Sequence, residues 1–151
     1  MRDTFPQYVR VRLVSAVDQS PLGGLAVLVT VIALRKNDYP VGPKISDDSG
    51  MVTFSRKELE ESIELNQKHF PMDYAGSLEE CSGIRIEVLG ASELEKLIEA
   101  REMWGGAIPE LKLSEGLRAC LRDAQKRIES GTSKVVSDEG LGSVIVVAIN
   151  A

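Results

Sequence analysis

The sequence predicts a mainly β, α+β protein: an antiparallel β-sandwich with about three helices packed on one of its sheets. Three observations carry that expectation. Polar turns of Asp, Ser, Pro and Gly (Asp18 to Gly24, Ser46 to Gly50) separate apolar, β-branched runs, the pattern of strands joined by tight connections. Two runs, Leu25 to Leu34 and Val144 to Ile149, are apolar at nearly every position, so each reads as a strand buried on both faces, which needs a layer on either side. Three later stretches switch to helical spacing and supply that layer.

The first strand is Tyr8 to Val17. Val9, Val11, Leu13, Ser15 and Val17 share one face, and Tyr8, Arg10, Arg12, Val14 and Ala16 the other; two outward arginines describe a strand with one wet side. Leu25 to Leu34 is the second strand, and Met51-Val52-Thr53-Phe54 follows the second turn. Ser55-Arg56-Lys57-Glu58 then forms a capping box, because the Ser55 hydroxyl can accept from the Glu58 N–H while the Glu58 carboxylate reaches back. Leu59, Ile63 and Phe70, with Leu65 flanking, give a helix over about 55–69 that stops before Pro71. Pro71 to Gly83 is an irregular connector. Ile84 to Leu89 alternates as a strand. Ser92 with Glu95 reads as a second capping box, opening a helix over about 92–104 with the stripe Leu94, Leu97, Ile98 and Trp104. A third helix covers about 114–130, with Leu117, Cys120, Leu121, Ala124 and Ile128 on one face. The whole of 1–151 reads as one domain, its sheet core drawn from 8–54, 84–90 and 143–150. Local strand pairs come first in the chain, which favours antiparallel pairing.

Composition bounds the function. The chain has 151 residues and a net charge of −5, which disfavours nucleic acid because phosphate binding needs a concentrated positive field. Met1 to Pro6 has no apolar stretch of signal-peptide length, and Leu25 to Leu34 is about half of what spans a bilayer. No membrane partner and a cytoplasmic location are therefore expected. Cys81 and Cys120 are the two cysteines, expected to be reduced and buried as small apolar residues.

Val17-Asp18-x-x-Pro21-Leu22-x-Gly24, then a long strand, then Ser46-Asp47-Asp48-Ser49-Gly50-Met51-Val52-Thr53-Phe54, resembles the opening of transthyretin-like and carboxypeptidase-regulatory-like β-sandwich domains. The resemblance covers roughly Tyr8 to Phe54. It implies that the Asp18 to Gly24 turn joins the first two strands, and that Asp47, Gly50, Val52 and Phe54 make a tight hairpin. The hydroxyisourate hydrolases of that superfamily place several histidines in their site and end in Tyr-Arg-Gly-Ser. This chain has one histidine and ends Ile149-Asn150-Ala151, so the resemblance implies a structural or binding module and not that activity.

Few residues suggest chemistry. His69, the only histidine, stands before Phe70-Pro71-Met72-Asp73-Tyr74. With Asp73 it could act as a general base, and with Cys81 as a nucleophilic pair; the ordinary alternative is a cation suited to a helix C-terminus. His69, Asp73, Tyr74 and Cys81 are thus the catalytic candidates, on the most idiosyncratic loop of the chain. Asp47, Asp48 and Ser49, or Asp138 and Glu139, fall short of the six to eight oxygens calcium takes, and one His with two distant Cys falls short of a zinc set. Gly140-Leu141-Gly142-Ser143 precedes a strand rather than a helix, which a phosphate-cradling loop requires. No cofactor or metal is expected. Arg118, Arg122 and Lys126, with Arg127 beside them, form a basic ridge on the third helix: either a solvated face with i,i+4 partners such as Asp123, or a docking strip for an acidic partner. Glu58, Glu60, Glu61 and Glu64 give the first helix an acidic counterpart. Trp104 reads as core.

The expectation that follows is a non-catalytic cytoplasmic protein–protein interaction module, its partner another protein or a second copy of itself. The alternative is a small enzyme or ligand-binding protein with its site around the 69–81 connector.

Overall fold

The structure, a computed structural model, describes residues 5–32, 40–69 and 77–150. Among these the fold is α+β, with seven strands in two open sheets and three helices. β1 (Tyr8–Ser15), β4 (Met51–Ser55) and β7 (Ile145–Ile149) form one sheet in the order β4-β1-β7. β2 (Ala26–Ile32), β3 (Val41–Ile45), β5 (Gly83–Val88) and β6 (Thr132–Ser137) form the other in the order β3-β2-β5-β6. Pairing is antiparallel except between β1 and β7, which run parallel with Arg12 opposite Val146. The expectation of an all-antiparallel fold is corrected there, because β7 enters from the far sheet and reaches β1 in the same direction.

One hydrophobic cluster draws on both sheets. Val9, Val11 and Leu13 of β1, Phe54 of β4 and Ile145, Val147 and Ile149 of β7 join Val27, Val29 and Val31 of β2 and Ile84, Ile86 and Val88 of β5. The period-2 pattern of β1 holds from Tyr8 to Leu13, where Val9, Val11 and Leu13 are buried and Tyr8, Arg10 and Arg12 exposed; Val14, read as outward, is buried instead, bridged to Pro21 of the first turn. The strand ends at Ser15, and Val17 lies beyond it in solvent.

β2 is two-faced, as its apolar run requires. Its other face, Ala26 and Leu28, packs in a second cluster with Leu89, Leu94, Leu113, Leu121 and Ala124. The cover comes from α2 (Ala91–Trp104) and α3 (Glu115–Ala124), which are inserted between the paired strands β5 and β6. α1 (Arg56–His69) does not join them: its Leu59 and Ile63 enter the main cluster beside β3 and β4. So two helices, not three, lie on the outer face of one sheet.

β7 departs from expectation. Val144 and Val146 are 44% and 45% exposed, because among the described residues only the first turn reaches that side of β4-β1-β7, at Val14 and Pro21, and an apolar run need not be buried twice. β3 and β6 are strands without a clear sequence signal. α3 ends at Ala124, short of residue 130, with Ser114 as its N-cap accepting from the Leu117 N–H at 3.2 Å. The Ser55–Glu58 box forms in both directions, at 3.0 and 3.1 Å. The Ser92–Glu95 box is corrected: the N-cap of α2 lies two residues earlier, at Gly90, and the Glu93 carboxylate accepts from Gly90 and Gly131 N–H groups at 3.3 and 2.9 Å. Burial of both cysteines is corrected too, since Cys81 is buried and Cys120 exposed. Trp104, expected in the core, is 48% exposed at the end of α2.

Candidate functional site

The two turns that carry the resemblance interlock at one end of the β4-β1-β7 sheet; the second does not close the expected hairpin, because it carries the chain from β3 in one sheet to β4 in the other. The buried Ser46 hydroxyl accepts from the Leu25 N–H at 3.1 Å and donates to the Leu22 carbonyl at 2.8 Å, and the Leu13 N–H donates to Gly50 at 2.8 Å. Asp47 organises the second turn, its Oδ1 accepting from the Ser49 hydroxyl at 2.7 Å and from the Ser49 and Met51 N–H groups at 2.9 Å each. The Ser49 hydroxyl above all, then the Met51 N–H, holds the Asp47 carboxyl below its ordinary value. In the first turn Gln19 takes the left-handed conformation, φ 64°, uncommon for a residue with a Cβ.

Beside these turns lies the outer face of the sheet. Strand register sets Met51, Arg12 and Val146 in one row and pairs Arg10 with Thr53 and Tyr8 with Ser55. The Arg10 guanidinium stands 5.3 Å from the Tyr8 ring centroid, a cation–π distance. Neither Arg10 nor Arg12 forms an ion pair among the described residues. Arg12, Val14, Gln19, Pro21, Ser49 and Val146 line a cleft of about 410 Å³ where the face meets the turns. An exposed face with Arg, Tyr and aliphatic side chains has the composition that dominates protein–protein contacts. The sequence reading noted the wet arginines of β1 but not this face, because β7 was expected to be covered.

The strand edges are less available. On β4 the Met51 and Ser55 N–H groups donate to Asp47 and Glu58 carboxylates, and the Thr53 carbonyl accepts from Lys44 Nζ at 2.8 Å. On the opposite side Lys134 of β6 donates to the Val146 carbonyl of β7 at 3.0 Å. A lysine from one sheet thus caps a carbonyl of the other on each side, which blunts strand addition.

The ridge residues have varied surroundings. Arg118 pairs with Glu102 of α2 at 2.7 Å, and Gln125 at the end of α3 donates to the Ala91 carbonyl at 3.1 Å, so this side of α3 runs along α2 in the opposite direction. Arg127 lies over the first turn, donating to the Gly23 carbonyl at 3.4 Å. Arg122 and Lys126 are exposed and form no ion pair among the described residues.

Of the catalytic candidates, Asp73 and Tyr74 lie outside the described residues. His69 closes α1, where its Nε2 is buried without a hydrogen-bond partner among the described residues. Cys81 belongs to the main hydrophobic cluster. Among the described residues no three His, Cys, Asp or Glu side chains are grouped to hold a metal ion, and no helix is long and apolar enough to cross a membrane. The polar residues the sequence reading missed are Asn66 and Arg101, 1% and 7% exposed; helical spacing signals both, since Asn66 stands seven residues after Leu59 and three after Ile63, and Arg101 seven after Leu94 and three after Ile98. No family model matches the chain, and no curated protein matches it at a significant level.

Proposed function

We propose that this chain is a non-catalytic protein–protein interaction module of the cytoplasm, a single-domain two-sheet sandwich of the transthyretin-like kind. It docks an acidic protein surface on the outer face of β4-β1-β7. The observation that carries the reading is that face itself: Arg10 and Arg12, free of ion pairs among the described residues, stand with Tyr8, Met51 and Val146 on a sheet that no described helix covers. On a chain of net charge −5 such a patch selects its partner by sign. Complementary charge speeds encounter and rejects like-charged surfaces, while the aromatic and aliphatic groups supply desolvated contact. Arg122 and Lys126 form a second, smaller positive area on the helical side. A second copy of the chain is the less favoured partner, because the β4 edge is capped.

The test is affinity capture from the protein's own host with three baits: wild type, Arg10→Glu/Arg12→Glu and Arg122→Glu/Lys126→Glu. The expected result is a stoichiometric acidic protein that is lost with the first variant, kept with the second and weakened by salt. Equal recovery by all three baits, or no protein specific to the wild type, would overturn the reading.

A further inference from the structure

A second concave site shares no residue with the docking face. It is a cleft of about 470 Å³ between α1, the first residues of β3, the last turn of α2 and the short turn Pro109–Leu111. Arg101 lies at its base. Only 7% exposed, it donates from Nη2 to the Gly42 carbonyl at 2.8 Å and from Nη1 to the Leu111 carbonyl at 3.3 Å, and both acceptor residues line the cleft. Those bonds use two of the five N–H donors of a guanidinium. No carboxylate pairs with Arg101 among the described residues. A buried cation that lacks an anion is costly, and desolvation accordingly lowers the Arg101 pKa.

The wall made by α1 has the opposite sign. Glu58 is held by Lys44 at 2.8 Å, and Glu110 faces Lys68 at 3.7 Å. Glu61 and Glu64, three residues apart and so on one face of the helix, are exposed and form no ion pair among the described residues. Between the two charges the lining is apolar, with Val41, Leu65 and Leu111. A simple anion would meet the glutamates before it reached Arg101, and a simple cation would leave Arg101 unbalanced.

We propose that this cleft binds a small amphoteric ligand, a basic amino acid or a dipeptide ending in one. Its carboxylate meets the unused Arg101 donors, its aliphatic stem lies along Leu65 and Leu111, and its terminal cation rests between Glu61 and Glu64. The volume suits a ligand of that size, and Arg binds carboxylates in a fixed, forked geometry.

The test titrates the full chain with L-lysine and with glycyl-L-lysine by calorimetry and amide chemical shifts. Cadaverine, which lacks the carboxylate, and Nε-acetyl-L-lysine, which lacks the side-chain cation, are the controls. One of the two lysine probes should bind, with shifts confined to α1, β3 and the end of α2. Removing either charge from the probe should weaken binding by about tenfold or more, the worth of one charge-assisted hydrogen bond. Arg101→Gln should abolish binding. Glu61→Gln/Glu64→Gln, which alters only exposed groups, should weaken it to a similar degree with an unchanged melting temperature, and so keeps the test valid if Arg101→Gln fails to fold. No binding tighter than about 10 mM, binding of Nε-acetyl-L-lysine equal to that of lysine, or an unaffected double glutamate variant would each overturn the proposal.

Discussion

Leu121→Ala tests whether the helical layer is part of the fold. Leu121 is fully buried, in a cluster of seven that also contains Ala26, Leu28, Leu89, Leu94, Leu113 and Ala124. Losing the three carbons of the isopropyl group forfeits about 2.4 kcal/mol of transfer free energy at roughly 0.8 kcal/mol per carbon. A cavity term adds to this, because two of the six neighbours are alanines with nothing to swing inward, and α3 is held by the Ser114 cap and the Gln125–Ala91 bond. The sum is about 3 kcal/mol, inside the usual range of roughly 2–5 for such truncations. With a urea m-value of about 2 kcal/mol/M, the unfolding midpoint should fall by about 1.5 M. Trp104 at the end of α2 is the sole tryptophan, so its fluorescence follows the helical layer while far-UV circular dichroism follows the whole chain. Both probes should shift together, and Arg122→Ala on the exposed side of α3 should stay within about 0.5 kcal/mol of wild type. A Leu121→Ala shift of less than about 0.25 M, which is about 0.5 kcal/mol, would refute the packing of α3 on β2.

Three further outcomes follow from the same geometry. Gly50→Ala should lower the melting temperature markedly, since φ is 79° and a Cβ there would run into the Leu13 carbonyl, whereas Gly116→Ala, in open space on α3, should raise stability by about 0.5 kcal/mol. Folding depresses the Asp47 pKa from 3.8, so its contribution is full above that value and is lost as pH falls through the lower folded value; melting curves at acid pH should fall more steeply for wild type than for Asp47→Asn. A thiol reagent should label one cysteine, Cys120, in the native state and reach Cys81 only on unfolding, as a count of modified thiols would check.

Much of the fold is legible in the sequence where burial on one side leaves a periodic mark. β1 alternates because one face meets the core and the other meets water, and the unbroken run of β2 correctly requires a layer on its far side. The same logic misleads at β7, whose outer valines cost little at an uncovered face. β3, Val-Gly-Pro-Lys-Ile, is hidden by a Gly-Pro pair that reads as a break. β6 is a polar edge strand with no buried residue to mark it. The Glu93 box was missed because glycine at position 90 offers no side-chain signal, although a Cβ there would strike the backbone of residues 129–131. The outer face of β4-β1-β7 was half legible: two arginines at alternate positions show in the sequence, but the valine row beside them depends on the parallel pairing of β7. The Arg101 cleft was not legible, since it gathers residues from segments at 40–42, 58–68 and 101–111.

The most direct test of the central claim is the association rate of the captured partner with wild type and with Arg10→Glu/Arg12→Glu, at about 0.05 and 0.5 M salt. The account predicts a wild-type rate that falls about tenfold or more with salt, a similar loss in the variant at low salt, and little change for Arg122→Glu/Lys126→Glu. A rate that neither salt nor the β1 reversal alters, or one abolished only by the α3 reversal, would contradict docking on β4-β1-β7.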